Sequence, residues 1–235
     1  MQITMIGHST VLIETSGKKI LTDPFFGTWG NIGYRRIDRP ARTRQELQNV
    51  DLVLVSHNHW DHTDMSFFRS LPKTTPVIAP WLTSRETRLL GAHQVAGLKP
   101  WESRKSGEFT VTAVPAIHMV MTNGYVIQSE GKCIYFAGDT EHGAFMQEIG
   151  QRFSLDVALM PVTTFFIPMT MGEDGAVRAV KDLAPKVVIP IHLGIRPHLP
   201  FLRTRQSVEG FERKLHAAGL ECKVVELKAG DNFQV

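Results

Sequence analysis

The sequence predicts an α/β fold of layered α+β character, an αββα sandwich in which two mixed β-sheets pack face to face with helices outside. Three observations lead there. Strand signatures crowd each half of the chain and each half is followed by helical stretches, the pattern of two sheets covered on their outer faces. Leu52-Val53-Leu54-Val55 reads as a buried strand, four aliphatic residues in a row. No short-period repeat, low-complexity tract or linker divides the chain, so residues 1–235 are expected to form a single domain.

Bulk properties bound the function. At 235 residues, with 43% hydrophobic and 21% charged residues, the chain has the composition of an ordinary globular protein. A net charge of +3 is too small to argue for nucleic acid by itself and is compatible with anionic substrates. Cys133 and Cys222 form no metal or disulfide pattern, and Cys133 reads as core filler. No run approaches the roughly 18 apolar residues of a membrane span, and MQITMIGHS has no signal-peptide pattern, so the cytoplasm is the expected location.

The elements follow in order. Residues 1–24 read as two strands around a tight turn at Ser16-Gly17. From Pro24 to about Arg42 the pattern fails. Phe25, Phe26, Trp29 and Tyr34 mingle with Arg35, Arg36, Arg39 and Arg42, and this segment is expected to cover a substrate. Thr43 and Glu46 make a capping box for a short helix through Asn49. After the Leu52 strand, Asp64 begins a helix, Pro76–Ala79 forms a strand, and Thr83 with Glu86 caps a helix that stops at Gly91. Strands at 109–114, 124–129 and 133–137 come next, the last two joined at Glu130-Gly131. A helix from Glu141, a strand at 157–160, a helix at 172–183 and a strand at 186–191 continue the chain. A helix from Thr204 to Ala218 and a strand at 222–227 end it.

Chemistry concentrates directly after the Leu52 strand. His57, His59, Asp61 and His62 offer four metal-capable side chains on one loop, and a strand end is a stiff support for turning them toward one point. Imidazoles crowded together repel when protonated and lose hydration when buried unpaired, and a metal ion removes both penalties. Imidazole suits zinc and iron, and the carboxylate admits manganese.

These residues carry a family resemblance. Ser56-His57-Asn58-His59-Trp60-Asp61-His62 resembles the signature of the metallo-β-lactamase-fold hydrolase superfamily, and His118 in PAIHMV, Asp139 in FAGDT and His192 in IPIHLG match its remaining ligands. GHSTVLIET with LTDPFF, and TMGEDGAVRAV, are similar to the branch that includes ascorbate-phosphate lactonases and the phospholipase D acting on N-acyl phosphatidylethanolamines. The resemblance covers nearly the whole chain and implies the metallo-β-lactamase-like sandwich. It assigns His57, His59 and His118 to one divalent metal, and Asp61, His62 and His192 to another, with Asp139 bridging. Zinc is the expected ion, manganese or iron the alternatives. It further implies a bridging hydroxide as nucleophile, catalytic roles for His57, His59, Asp61 and Asp139, and return of a proton to the leaving group by Asp61. His8 and Asp23, in GHST and TDP, would lie beside the centre, where Asp23 could fix the tautomer of a ligand imidazole.

Charge narrows the substrate class. Two divalent ions less two carboxylates and one hydroxide leave about +1, which favours phosphodiesters, phosphorylated lactones or carboxylate esters. Arg35, Arg36, Phe166 and Arg196 are the candidate substrate-binding residues, and LGIRPHLPFLR after His192 departs from its relatives, so that no substrate transfers directly. The expected function is a dinuclear-metal-dependent hydrolase of a small anionic ester. The alternatives are a single-iron, thiol-dependent dioxygenase of the same fold and a nuclease, the latter without a dedicated nucleic-acid module. A homo-oligomer is compatible with the sequence.

Overall fold

The computed structural model describes residues 1–29 and 33–235. Its first sheet grows from a meander of Gln2–Gly7 (β1), Thr10–Thr15 (β2) and Lys18–Thr22 (β3), paired antiparallel. Ser16 and Gly17, at φ 49° and 72°, supply the left-handed pair that a tight hairpin turn requires. The sequence reading gave this region two strands and overlooked β1. Its apolar run breaks alternation because the register shifts between Met5 and Gly7, a bulge that turns His8 out of the sheet edge.

Tyr34–Arg36 (β4) leaves this sheet to make a small ribbon. Leu52–Leu54 (β5), Pro76–Pro80 (β6) and Gln94–Leu98 (β7) then extend it in parallel from β3. The sequence reading did not anticipate β7, whose Gly97 argues against a strand. That glycine is needed, since a Cβ there would lie 2.8 Å from the Trp81 backbone. Met65–Ser70 (α1) is capped by Asp64, which accepts from Phe67 N at 3.1 Å, as expected. The Thr43–Glu46 box forms, but it closes only a 3-10 turn at Gln45–Leu47 instead of a helix through Asn49. The second box does not form. Thr83 is already helical in backbone, so its side chain cannot cap Ser84–Leu89 (α2), and Glu86 instead accepts from Asn58 Nδ2 at 3.2 Å.

The second sheet repeats the plan. Ser103–Ser106 (β8, also unanticipated), Phe109–Pro115 (β9), Asn123–Ser129 (β10) and Lys132–Phe136 (β11) run antiparallel. Val157–Pro161 (β12) and Val187–Ile191 (β13) add parallel strands. Ile195–Pro197 (β14) pairs with β4, Lys223–Val224 (β15) closes the second sheet, and Asn232–Gln234 (β16) returns to β1. The final strand is therefore shorter than the 222–227 expected, and β16 was missed. The helices are Phe145–Arg152 (α3), Gly172–Leu183 (α4) and Val208–Ala217 (α5). The first begins later than Glu141, whose N–H bonds Ile117 O at 2.9 Å, and the last later than Thr204, since Ser207 is the residue that caps it.

Two seven-stranded sheets, ordered β16-β1-β2-β3-β5-β6-β7 and β15-β13-β12-β11-β10-β9-β8, thus pack with helices outside, the expected αββα sandwich. Alternation along the central strands explains the layers. Val157 and Leu159 of β12 enter the inter-sheet core with Leu52, Leu54, Ile189 and Phe136, while Ala158 and Met160 face α3, α4 and α5. Val53 and Val55 face Phe67 and Phe68 on the opposite outer layer. Strands buried on both faces must be apolar throughout, which is why 52–55 reads as a continuous run.

Candidate metal centre

Six chain segments deliver their polar residues to one edge of the two sheets. His8 sits in the β1–β2 turn and Asp23 directly after β3. The loop from His57 to His62 follows β5, His118 follows β9, Asp139 follows β11 and His192 follows β13. Parallel strands in each sheet end here, so their carboxyl ends converge. Gly138, at φ 58°, makes the approach of Asp139 possible, because a Cβ there would lie 2.5 Å from Ser56 Cβ.

Two clusters result. In the first, His57 Nε2 lies 3.0 Å from His59 Nδ1, and His118 Nε2 lies 3.3 Å from the same nitrogen. The remaining nitrogens of two of these rings are held from behind: His118 Nδ1 donates to Met169 O at 3.0 Å, and His57 Nδ1 meets Ser56 Oγ at 2.9 Å. In the second, His62 Nε2 is 3.3 Å from Asp139 Oδ1 and 3.9 Å from Asp61 Oδ2. His192 Nε2 is 3.1 Å from Asp139 Oδ2 and 3.8 Å from Asp61 Oδ2. Asp23 lies behind, taking the His62 Nδ1 proton at 2.6 Å and accepting from Ser56 N and Oγ at 2.7 and 2.6 Å. That bond fixes the ring orientation and aims His62 Nε2 at the carboxylates, where a bound cation would take the place of its proton. His8 closes the far side.

The electrostatics match a cation-binding site. Burial holds His118 at about 4 and His57 and His59 below the ordinary imidazole range, so all three are neutral donors near pH 7. Burial would raise the carboxyls of Asp61 and Asp139, but the surrounding imidazoles hold both below the usual carboxylate range. Burial would likewise depress His62, yet Asp139 and Asp23 lift it well above its ordinary value. Asp61 Oδ1, Asp139 Oδ1 and His62 Nε2 are buried without a hydrogen-bond partner among the described residues. Imidazole nitrogens and carboxylate oxygens gathered in a buried space, three of them without a hydrogen-bond partner among the described residues, fit divalent metal ions of the N/O-preferring kind.

The structure brings all seven expected ligands together and puts Asp23 and His8 beside them. It treats the expected substrate residues differently. Arg36 is buried, its guanidinium donating to Phe25 O at 2.6 Å and Gly27 O at 3.0 Å and lying 4.0 Å over the Phe25 ring, so these contacts tie it into the loop. Arg35 and Arg196 are cross-strand partners on the exposed face of the β4–β14 ribbon, while its other face carries Tyr34 and Ile195 to the metal cleft. Arg196 borders a neighbouring cavity of about 330 Å³. Phe166 points outward, 68% exposed, and its neighbour Phe165 takes the place expected for it, 5.9 Å from His192 and 4.7 Å from Tyr34. Of the 24–42 segment, Tyr34 lines the metal cleft, and residues 30–32 lie outside the described residues.

Three contributors went unassigned in the sequence. Ser56 stands inside the ligand motif, where its place before His57 was the available signal. Phe165 shares an irregular apolar stretch with Phe166, and nothing in their order distinguishes them. Met169 acts through its carbonyl, which leaves no trace in residue type.

Comparisons with known proteins agree with this geometry. Residues 2–192 match the family model described as a beta-lactamase superfamily domain. A protein of Archaeoglobus fulgidus named UPF0173 metal-dependent hydrolase is 30% identical over 249 aligned positions that cover all of this chain and 99% of the relative. A relative of the same name from Pelotomaculum thermopropionicum is 35% identical over 248 positions, covering both proteins in full. Among solved structures, Igni18, described as a novel metallo hydrolase from the archaeon Ignicoccus hospitalis, superposes with a TM-score of 0.79 at 26% identity, over all of this chain and 98% of that one.

Proposed function

The chain belongs to the metallo-β-lactamase superfamily, in the family of those metal-dependent hydrolases, and from that premise we propose that it hydrolyses a small anionic ester, a phosphodiester or lactone, at a dinuclear metal centre. One observation carries the dinuclear reading. Two donor groups adjoin, His57, His59 and His118 in one and Asp61, His62 and His192 in the other, with the His57 and His62 rings 4.2 Å apart and Asp139 touching His62 and His192 through its two oxygens. In this reading His57, His59 and His118 hold one ion, Asp61, His62 and His192 the other, and Asp139 serves both. Bound there, divalent ions would supply Lewis acidity and lower the pKa of water toward ~7.

The chain's own groups do the rest. Asp23, Ser56 and the Met169 carbonyl fix ring orientations before any ion arrives, so the donors need no rearrangement. Asp61, buried with Oδ1 free of protein partners, is placed to pass a proton to the leaving group. Its lowered pKa makes it a relay and not a store. Tyr34, Phe165 and Met169 roof the cleft and exclude water from it. The excess positive charge of the centre selects substrates that carry or develop negative charge.

The test pairs metal analysis of protein purified without added metal with hydrolysis of bis(p-nitrophenyl) phosphate. About two zinc, manganese or iron ions per chain, with turnover lost in His59→Ala, supports the proposal. One iron per chain without hydrolysis overturns it and puts the thiol-dependent dioxygenase first.

A further inference from the structure

His8 is a histidine without a structural occupation. It is 3% exposed, yet neither ring nitrogen has a hydrogen-bond partner among the described residues. A buried imidazole kept for packing ordinarily satisfies at least one nitrogen, since leaving both unmet is costly. Its backbone is strained as well, at φ 61°, a conformation that non-glycine residues adopt where the surroundings impose it and that clusters at functional sites.

The surroundings impose it in three ways. The β1–β2 bulge ends at Gly7, at φ 141°, and throws His8 out of the sheet. His192 N donates to His8 O at 3.2 Å, tying the turn to a metal-ligand segment. Gly194 allows the chain after His192 to close over it, because a Cβ there would lie 2.8 Å from His8 N. The ring is then wedged between His192, 4.3 Å away centroid to centroid, His62 at 5.3 Å and Phe25 at 5.8 Å.

Where Nε2 ends up is decisive. It lies 3.5 Å from Asp61 Oδ2, long for a hydrogen bond. Two donors bound to one ion at ~2.1 Å and tetrahedral angles are, however, roughly 3.4 Å apart. His62 Nε2 and His192 Nε2 surround the same oxygen at 3.9 and 3.8 Å, and the donor atoms of His8, Asp61, His62 and His192 all lie within 4.8 Å of one another.

We infer that His8 is a direct ligand of the second metal ion, which makes that site three imidazoles and two carboxylates, His8, His62, His192, Asp61 and Asp139. The inference rests on the dinuclear reading and deepens it. A five-donor set of nitrogen and oxygen departs from the four-coordinate arrangement zinc prefers and suits an ion that accepts five or six ligands, such as iron(II), manganese(II) or cobalt(II). The two sites therefore differ in preference, zinc fitting best the four-donor site of His57, His59, His118 and the shared Asp139.

Cobalt(II) reads both number and coordination. Metal-free protein is titrated with Co²⁺ and followed by equilibrium dialysis and visible absorption, whose intensity rises as coordination falls from six to four. His8→Asn keeps a residue that tolerates positive φ and is too short to reach the ion. Two Co²⁺ per wild-type chain, with His8→Asn weakening one of them by about a hundredfold and intensifying its bands, supports the inference. Two Co²⁺ bound by both proteins with equal affinity and identical spectra overturns it and leaves the dinuclear reading standing. One Co²⁺ per wild-type chain overturns both. Should His8→Asn not fold, X-ray absorption on His59→Ala loaded with a single Co²⁺ decides instead: three imidazoles on the ion support His8 as a ligand, and two exclude it.

Discussion

The Asp23 carboxylate and the His62 imidazole meet at 2.6 Å, both fully enclosed, and the same carboxylate takes two hydrogen bonds from Ser56. Burial raises the Asp23 carboxyl, while His62 and Ser56 favour its charged form. Asp23→Asn replaces the acceptor oxygen or turns an amide donor toward Nδ1, and either choice disfavours the tautomer that aims Nε2 at the site. Metal affinity at the Asp61–His62–His192 cluster is expected to fall about 10–100-fold, with little change in the other cluster. Metal competition followed by elemental analysis measures it, and equal affinities at both clusters would remove Asp23 from this role.

A pH dependence follows from the imidazoles. In metal-free protein His8 is held at about 3 and His118 at about 4, both chiefly by burial, with His57 and His59 also lowered. A base whose folded pKa is depressed binds more protons when unfolded, so the folded state loses ground as pH falls below ~6.5. His62, raised by its carboxylates, is protonated in both states below ~6.5 and adds no slope there. Its contribution is lost only as pH rises above ~6.5, so the net count in the acid window is the four depressed imidazoles. Chelated protein should therefore lose on the order of 1 kcal/mol per net imidazole for each pH unit below ~6.5. Denaturant melts at pH 7.5, 6.5 and 5.5 check this, and rising stability toward pH 5.5 would contradict it.

Gly138 offers a backbone test. Its φ of 58° disfavours any side chain, and a methyl would press on Ser56 at 2.5 Å, the residue that Asp23 holds. Gly138→Ala is expected to destabilise the protein by about 2–3 kcal/mol through strain and overpacking, and to reduce metal content by displacing Asp139. Leu159→Ala, which opens a cavity between the sheets, should cost about 2–5 kcal/mol in denaturant unfolding while metal content at 20 °C stays unchanged. The contrast separates damage to the site from damage to the scaffold.

What was legible in the sequence follows from what residue type can carry. The ligand loop is local, His57 to His62 on one turn after one apolar strand, so its chemistry shows in a single stretch. Strands β5, β12 and β13 are buried on both faces and read as continuous apolar runs. β7, β8 and β16 did not read as strands, because Gln94, Gly97, Ser103–Ser106 and Asn232 are polar or small and owe their conformation to neighbouring strands. The placement of the arginines was hidden for a related reason. Alternation on a three-residue ribbon decides whether Arg35 and Arg196 face inward or outward, and β4 was not visible as a strand. Arg36 has the composition of an anion-binding residue, but two carbonyls and a phenyl ring take up its guanidinium.

Phe165 governs access. The cleft bounded by Tyr34, Asp61, Asp139, Phe165, Met169, His192 and Ile195 holds about 10 Å³, the space of one water, and is too small for an ester substrate. On the other side of Phe165, His192 and Ile195 lies the cavity of about 330 Å³ bordered by Arg196 and Arg203. The Phe165 ring, 4.7 Å from Tyr34, separates the two. A substrate approaching from the larger cavity would meet this ring, and removing it joins the cavities. Phe165→Ala should keep the metal content of the parent while kcat/KM for a bulky aryl phosphodiester rises about tenfold relative to that for its methyl analogue. That ratio corresponds to about 1.4 kcal/mol of differential barrier, well within what one aromatic ring contributes to packing. An unchanged ratio at full metal occupancy would place the substrate's entry elsewhere, and loss of metal would show that Phe165 supports His192 instead of screening it.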